Sequence, residues 1–141
     1  NTSLFSRILA TDTIESLLGI FNIKAREYWN THYRPGAESN DEPKHIGKSS
    51  AELLVINTII PLLFAYGKLR DNEAHCQKAL TWLEALKPEQ NNIIKNWSKI
   101  GIKASNAAHS QGLIFLKQNL CLHRKCLHCR IGHLVISKKT G

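Results

Sequence analysis

The sequence of 141 residues contains no methionine, and it begins at Asn1. We therefore expect a processed or truncated piece of a longer protein. We expect no secretory signal peptide, because the first eight residues do not combine a charged leader with a long apolar core. The longest apolar stretch, residues 53–65, is interrupted by polar residues and a proline, and it falls short of the roughly 20 apolar residues of a membrane span. A cytoplasmic protein without membrane contact is expected.

Acidic residues are absent from the last part of the chain. Through Glu89 there are ten Lys or Arg and eleven Asp or Glu, whereas from Gln90 onward there are nine Lys or Arg and no acidic residue. One-sided positive charge is typical of proteins that bind phosphate-rich partners. The alternative is a solvated face turned toward an acidic neighbouring domain. The candidate partners are therefore nucleic acid and the missing N-terminal part of the same protein.

A catalytic constellation is also missing. The carboxylates are scattered, without the spacing of a metal-dependent active site. Ser110 follows His109, but adjacent helical residues point in different directions. Residues 47–50, Gly-Lys-Ser-Ser, are similar to the end of a P-loop, yet Glu42 stands where its first glycine should be. We expect no catalytic site in this chain. The start of the following helix could still bind an anion, with Lys48 assisting.

The spacing of apolar residues predicts an all-α fold, a multi-helix bundle that forms one domain over residues 1–141. The strongest helix is expected at about Ala51–Leu69, with Ser49 or Ser50 as its cap. Because that segment has almost no polar face, it is predicted to lie in the middle of the bundle. Pro61 inside it cannot donate a hydrogen bond, which predicts a kink.

Shorter elements are predicted around this helix. Thr11 or Asp12 is expected to cap a helix that carries Ile14 to Phe21. Residues 23–29 read as a second short helix. Residues 34–48, rich in Pro, Gly, Asn and Asp, read as a long loop and a candidate lid. Only residues 134–137 read as a strand.

The one chemical constellation is a cysteine cluster near the C-terminus. Cys121, Cys126 and Cys129 have the spacing C-x4-C-x2-C, with histidines interleaved. A C-x2-C turn lets two sulfurs reach one metal ion, and zinc favours four such ligands in a tetrahedron. His133 completes a local Cys3His set, with His123 and Cys76 as rival fourth ligands. The cluster, residues 121–133, is therefore predicted to be a structural zinc knuckle.

Other interpretations of the cluster stay open. An iron–sulfur site would need a fourth cysteine, and none follows Cys129. Cys76 would have to come from another helix. Without a metal, the thiols would pack as small apolar residues, or Cys126 and Cys129 would form a redox-labile pair.

Several stretches resemble one known family. They are Tyr28-Trp-Asn-Thr-His-Tyr33, residues 47–50, the helix from Ile56 to Lys68 with its Asn-Thr-x-x-Pro motif, Ser110-Gln-Gly-Leu-Ile, and Lys125-Cys-Leu-His-Cys-Arg-Ile-Gly132. Together they resemble the C-terminal portion of a bacterial family, domain of unknown function 2851. The resemblance implies longer family members, with upstream acidic segments reminiscent of PD-(D/E)xK nucleases. It also implies that the three cysteines of the cluster belong to the family pattern.

We therefore expect a non-catalytic helical scaffold or interaction domain of a larger bacterial protein. It would carry a structural metal-type cysteine cluster and a basic C-terminal surface that contacts nucleic acid. One alternative is an accessory domain of a nuclease-like enzyme whose active site lies upstream of this chain. Another is a redox-sensitive thiol module.

Overall fold

The structure, a computed structural model, describes residues 3–137, apart from the side chain of Val135. The chain divides into two compact units, Asn1–Trp82 and Leu83–Gly141. Helices dominate both units, and the described residues hold only one small two-stranded sheet. The predicted all-α class is thereby confirmed. The prediction of a single domain over residues 1–141 stays a prediction, since two such units are compatible with one domain or with two.

The first unit begins with two short helices, α1 (Leu4–Ala10) and α2 (Ile14–Ile20). Ser3 and Thr13 precede them, and each hydroxyl accepts a hydrogen bond from the backbone N–H three residues further on. These bonds satisfy N–H groups that have no partner within the helix. The sequence predicted α2 with a cap one or two residues too early, and it missed α1.

A continuous helix of 22 residues, Lys48–Leu69, follows in the first unit. It consists of α3 (Lys48–Leu54), a π turn (Val55–Ile59) and α4 (Ile60–Leu69). Its cap is Gly47, without any side-chain hydrogen bond, so the prediction that Ser49 or Ser50 caps the helix is wrong. Both serines lie in the first turn instead.

The π turn is the form that the predicted kink takes. Pro61 has no N–H to offer to the carbonyl of Asn57, so the regular ladder has to break there. The N–H of Ile60 reaches back five residues to the carbonyl of Val55. The side chain of Asn57 donates to the carbonyl of Leu53 at 3.1 Å. The helix thus widens before the proline and continues beyond it.

Only one side of this long helix is buried within the structure. Val55, Ile56, Ile59, Ile60 and Leu63 are at most 7% exposed, whereas Leu53, Leu54, Leu62 and Leu69 are 37% to 80% exposed. The prediction of a helix buried all round is therefore wrong for the described chain. By length and composition the helix could also cross a membrane, with a mean hydropathy of 1.5, although core helices of soluble proteins meet the same criteria. The absence of membrane contact stays a prediction.

α5 (Glu73–Ala85) is held against the start of the chain by two long-range hydrogen bonds. Lys78 Nζ donates to the carbonyl of Leu9 at 3.0 Å, and Trp82 Nε1 donates to the carbonyl of Asp12 at 3.3 Å. The indole of Trp82 is 3% exposed, so its polar atom needs this partner. These bonds fix α5 to the junction between α1 and α2.

A tight turn joins α4 to α5. Lys68 Nζ lies 3.2 Å from Glu73 Oε2 across this turn. The hydrogen bond with Glu73 raises the pKa of Lys68, and the negative charge of Glu73 adds to that effect. Both groups are well exposed, so the pair contributes little to stability.

The segment between α2 and α3 contains no α-helix, so the helix predicted over residues 23–29 is wrong. A 3₁₀ turn covers Glu27–Asn30, and a hairpin follows with β1 (His32–Arg34) and β2 (Ala37–Glu38). Lys44 Nζ donates to the carbonyls of residues 29 and 30 at 2.6 and 2.7 Å. Lys44 lies in the segment predicted as a lid, so these two hydrogen bonds hold that segment to the 3₁₀ turn.

The second unit contains α6 (Asn92–Lys99), α7 (Ala107–Phe115), a π turn (Leu116–Cys121) and α8 (Arg130–Ser137). Asparagine side chains cap α6 and α7. The strand predicted over residues 134–137 is wrong, because this segment forms the end of α8. A short β-branched run becomes a strand only where a partner strand is available, and the described part of this unit offers none.

A buried serine ties the start of the second unit to α7. Ser110 is fully buried, donates to the carbonyl of Ala107 at 2.9 Å and accepts from the N–H of Glu89 at 3.1 Å. The side chain of Gln111 also donates to the carboxylate of Glu89. The hydroxyl of Ser110 thus joins the backbone before α6 to the first turn of α7.

We predict that Gly67→Ala destabilises the protein by about 1 to 3 kcal/mol, the usual cost of overpacking. A Cβ at this position would lie 2.7 Å from the sulfur of Cys76 and 3.0 Å from the carbonyl oxygen of Asn72. Gly19→Ala is the control, because nothing lies within 4 Å of its added Cβ and alanine favours the helix. Urea unfolding of both variants is the measurement. Equal midpoints would contradict the close approach of α4 and α5.

Candidate metal centre

The cysteine cluster begins where α7 widens into a π turn. The N–H of Leu122 donates to the carbonyl of Lys117, five residues back, at 3.0 Å. Arg124 then has a φ of 52°, a left-handed conformation that costs a residue with a side chain some strain. This reversal ends the helix and turns the chain back. Cys121 lies at the end of the π turn and is exposed.

Cys126 and Cys129 are joined by a 3₁₀ turn that leads into α8. The N–H of Cys129 donates to the carbonyl of Cys126 at 3.2 Å, and the N–H of His133 donates to the carbonyl of Cys129 at 2.8 Å. A Cβ on Gly132 would lie 3.0 Å from the Cα of Cys126. Only glycine therefore lets the first turn of α8 rest directly on the cysteine turn.

All three cysteines of the cluster border one cavity of about 150 Å³. Its walls are otherwise mainly apolar, and His133 is not among them; the lining residues are Trp97, Leu116, Leu120, Cys121, Lys125, Cys126, Cys129, Ile131 and Gly132. Cys129 is buried, whereas Cys126 is exposed. The fold thus brings the three predicted sulfur ligands to the same place but leaves the predicted fourth ligand at α8.

The described residues, 3–137, contain no group of three or more His, Cys, Asp or Glu side chains placed to hold a metal ion. All four cysteines are free thiols. Cys76 belongs to the first unit, where its thiol lies 3.6 Å from the carbonyl of Phe64. Zinc binding by Cys121, Cys126, Cys129 and His133 therefore stays a prediction, and it would require these side chains to approach one another.

The surface of the second unit is cationic. Seven Lys and Arg side chains between residues 90 and 137 are exposed, namely Lys95, Lys99, Lys103, Lys117, Arg124, Lys125 and Arg130. This stretch contains no acidic residue. The ion pairs seen among the described residues, Lys68 with Glu73 and Lys78 with Asp12, both lie in the first unit. Lys138 and Lys139 lie outside the described residues.

A family model described as protein of unknown function (DUF2851) matches residues 1–92, almost two thirds of the chain. The chain belongs to this family. No curated protein and no solved structure matches it.

The part of the DUF2851 family model that matches includes the Asn-Thr-x-x-Pro motif of residues 57–61. In the structure this motif forms the end of the π turn and the start of α4, so a register change of the helix accounts for its residue types. The cysteine cluster lies beyond residue 92. Its place in the family pattern therefore rests on the sequence resemblance alone.

Two features of the second unit escaped the sequence analysis. One is the π turn at Leu116–Cys121, for which the sequence offers no proline as a signal. The other is the small core, since only Leu86, Ile94, Ala107 and Cys129 are buried among the described apolar side chains of this unit. Many apolar residues between positions 100 and 136 are exposed. Their spacing in the sequence is the one that a packed helical bundle would also show.

We predict that Gly132→Ala opens the cysteine turn, because its Cβ would collide with the backbone of Cys126. In the native protein, alkylation should be fast at the exposed Cys121 and Cys126 and slow at the buried Cys129. In the variant, the rate at Cys129 should rise toward that of Cys126. Peptide mass spectrometry after timed iodoacetamide treatment measures these rates. Gly112→Ala is the control, since nothing lies within 4 Å of that Cβ, and an unchanged Cys129 rate in both variants would contradict the contact.

Proposed function

We propose that this chain is a non-catalytic helical interaction domain whose second unit binds the phosphates of a nucleic acid. The observation that supports this most directly is the set of seven exposed Lys and Arg side chains between residues 90 and 137, without one acidic neighbour in sequence. Cations without carboxylate partners keep their charge available to a polyanion. Each phosphate that they neutralise releases counterions, which makes such binding steeply dependent on salt.

The first unit has a different character, and this contrast supports the assignment of nucleic-acid binding to the second unit. Over residues 1–82 there are nine Lys or Arg and nine Asp or Glu, so the charges balance, whereas the acidic residues of the second unit, Glu84 and Glu89, both precede its cationic stretch. Two cations of the first unit, Lys68 and Lys78, are paired with carboxylates, and Lys44 donates to backbone carbonyls. The exposed leucines of the long helix Lys48–Leu69 fit a surface for another part of the same protein.

The cysteine cluster is proposed to bind a structural zinc ion that stabilises the second unit. Support comes from the three cysteines that border one cavity and from the small number of buried apolar side chains in this unit. Domains below about 70 to 80 residues commonly need a disulfide or a metal in addition to their core. Cys121, Cys126 and Cys129 would supply thiolates and His133 an imidazole, and the surrounding cations would offset the thiolate charge.

We expect Arg124→Gln/Lys125→Gln to weaken binding to oligonucleotides and to flatten its dependence on salt. Losing two phosphate contacts should lower the slope of log affinity against log salt by about 1.4 for single strands and about 1.8 for duplexes. Fluorescence anisotropy of labelled oligonucleotides at 25 to 200 mM salt gives these slopes. The matched control is Arg26→Gln/Arg34→Gln, which removes two exposed cations from the first unit.

Three results would separate the possibilities for nucleic-acid binding. A reduced slope in the first double variant alone supports the proposal. Equal loss in both double variants would place binding on the whole molecule, not on the second unit. No binding at 25 mM salt would refute the proposal, because electrostatic affinity is greatest there.

For the metal, we expect about one zinc ion per chain in protein purified without chelators, measured by plasma emission spectrometry. Cys126→Ser should lose the zinc and lower the melting temperature, because structural zinc sites contribute directly to folding. Cys76→Ala is the control and should keep the zinc. A metal-free protein whose melting temperature is unaffected by zinc or a chelator would refute the site. A disulfide between Cys126 and Cys129 under mild oxidation, seen by mass spectrometry as the loss of two hydrogens, would favour the redox alternative instead.

A further inference from the structure

A second cavity of the second unit lies between α6 and the π turn that follows α7. It measures about 190 Å³ and is lined by Ile93, Asn96, Trp97, Ile100, Lys117 and Cys121. Three of these residues belong to α6, and Ile100, directly after its last residue, continues the spacing of the same helix face. The two residues from the π turn are four positions apart. We name this cavity the Trp97 groove.

The orientation of Trp97 is fixed. Its Nε1 donates to the carbonyl of Leu113 at 3.1 Å, which ties the indole to α7. The side chain is only half-buried and lines the groove. An aromatic ring held in this way offers a flat apolar surface, and it loses little conformational freedom when a planar ligand stacks on it.

The size and chemistry of the groove select a small planar group. Pockets for whole cofactors or drug-sized ligands occupy about 300 to 1,000 Å³, so this groove holds a single ring system. Asn96 offers an amide that can donate and accept hydrogen bonds, as the edge of a base requires. Lys117 is exposed at the same groove, and no acidic side chain is among the residues that line it, which favours an anionic ligand.

We propose that the Trp97 groove accepts one unpaired base of a single-stranded nucleic acid, with Lys117 on an adjacent phosphate. This inference rests on the proposed binding of nucleic acid by the second unit and adds a preference for single strands over duplexes. In a duplex the faces of the bases are covered by stacking, so only a single strand can offer a base to the indole.

The decisive comparison uses the unaltered full chain. Its affinity is measured for a twelve-residue oligothymidylate, for an abasic oligonucleotide with the same number of phosphates, and for a duplex. Base–aromatic stacking should make the oligothymidylate bind on the order of tenfold more tightly than the abasic strand at the same salt concentration. Thymidine monophosphate is added as a competitor, to distinguish a strand from a free nucleotide as the ligand.

Two variants locate the effect. Trp97→Leu keeps an apolar side chain but removes the stacking surface, so the ratio of the affinity for the oligothymidylate to that for the abasic strand should fall from about ten to about one. Trp29→Leu in the first unit should retain the preference. Tryptophan fluorescence gives a second readout, because a base stacked on Trp97 should quench emission in the native protein and in Trp29→Leu but not in Trp97→Phe.

The outcomes distinguish this inference from the proposed function. Equal affinity for the oligothymidylate and the abasic strand, with salt-dependent binding of both, would overturn the base-binding groove and leave phosphate binding intact. Binding to neither strand would overturn both. Competition by micromolar thymidine monophosphate together with no gain from a longer strand would overturn the assignment to a polynucleotide.

Discussion

The hydrogen bond from the N–H of Leu122 to the carbonyl of Lys117 sets the geometry of the second unit. A helix that continued with regular four-residue bonds would rotate each later side chain by about 100° per residue along one cylinder. The π turn inserts one residue into that cylinder and so shifts every later side chain around the axis. Lys117 near the start of the π turn and Cys121 at its end both line the Trp97 groove, and Cys121 also borders the thiol-lined cavity.

The described part of the second unit has a small apolar core. Four apolar side chains are buried among the described residues of the second unit. Hydrogen bonds and one close backbone contact also hold its helices together. Ser110 holds the backbone of Glu89, the indole of Trp97 holds the carbonyl of Leu113, and Gly132 lets α8 lie on Cys126. The proposed zinc ion would add to these contacts, while the exposed Lys and Arg side chains occupy the surface of the unit.

Much of the fold was predictable because the spacing of apolar residues and the effects of glycine, proline and helix caps depend on residues only a few positions apart. The long helix and α2 follow from the spacing of their apolar residues, and the break before Pro61 follows from its missing N–H. The predictions failed where a residue that is distant in the sequence determines the local structure. Residues 23–29 do not form the predicted α-helix. Lys44, fifteen residues after Trp29, donates a hydrogen bond to the carbonyl of Trp29 and so holds this segment in a different conformation. Residues 134–137 became helical, because strand propensity has no effect without a neighbouring strand.

The candidate site divides in a similar way. The cysteine spacing, the acid-free cationic stretch and the Asn-Thr-x-x-Pro motif can be read from the sequence, because each depends on residue identity within a few positions. Only the tertiary structure decided that Cys121, Cys126 and Cys129 border one cavity without His133. It also decided that Trp97 and Lys117 line the same groove. Those arrangements depend on the rotation of α6 and α7 about their axes, and packing and the position of a π turn fix that rotation, not local propensity.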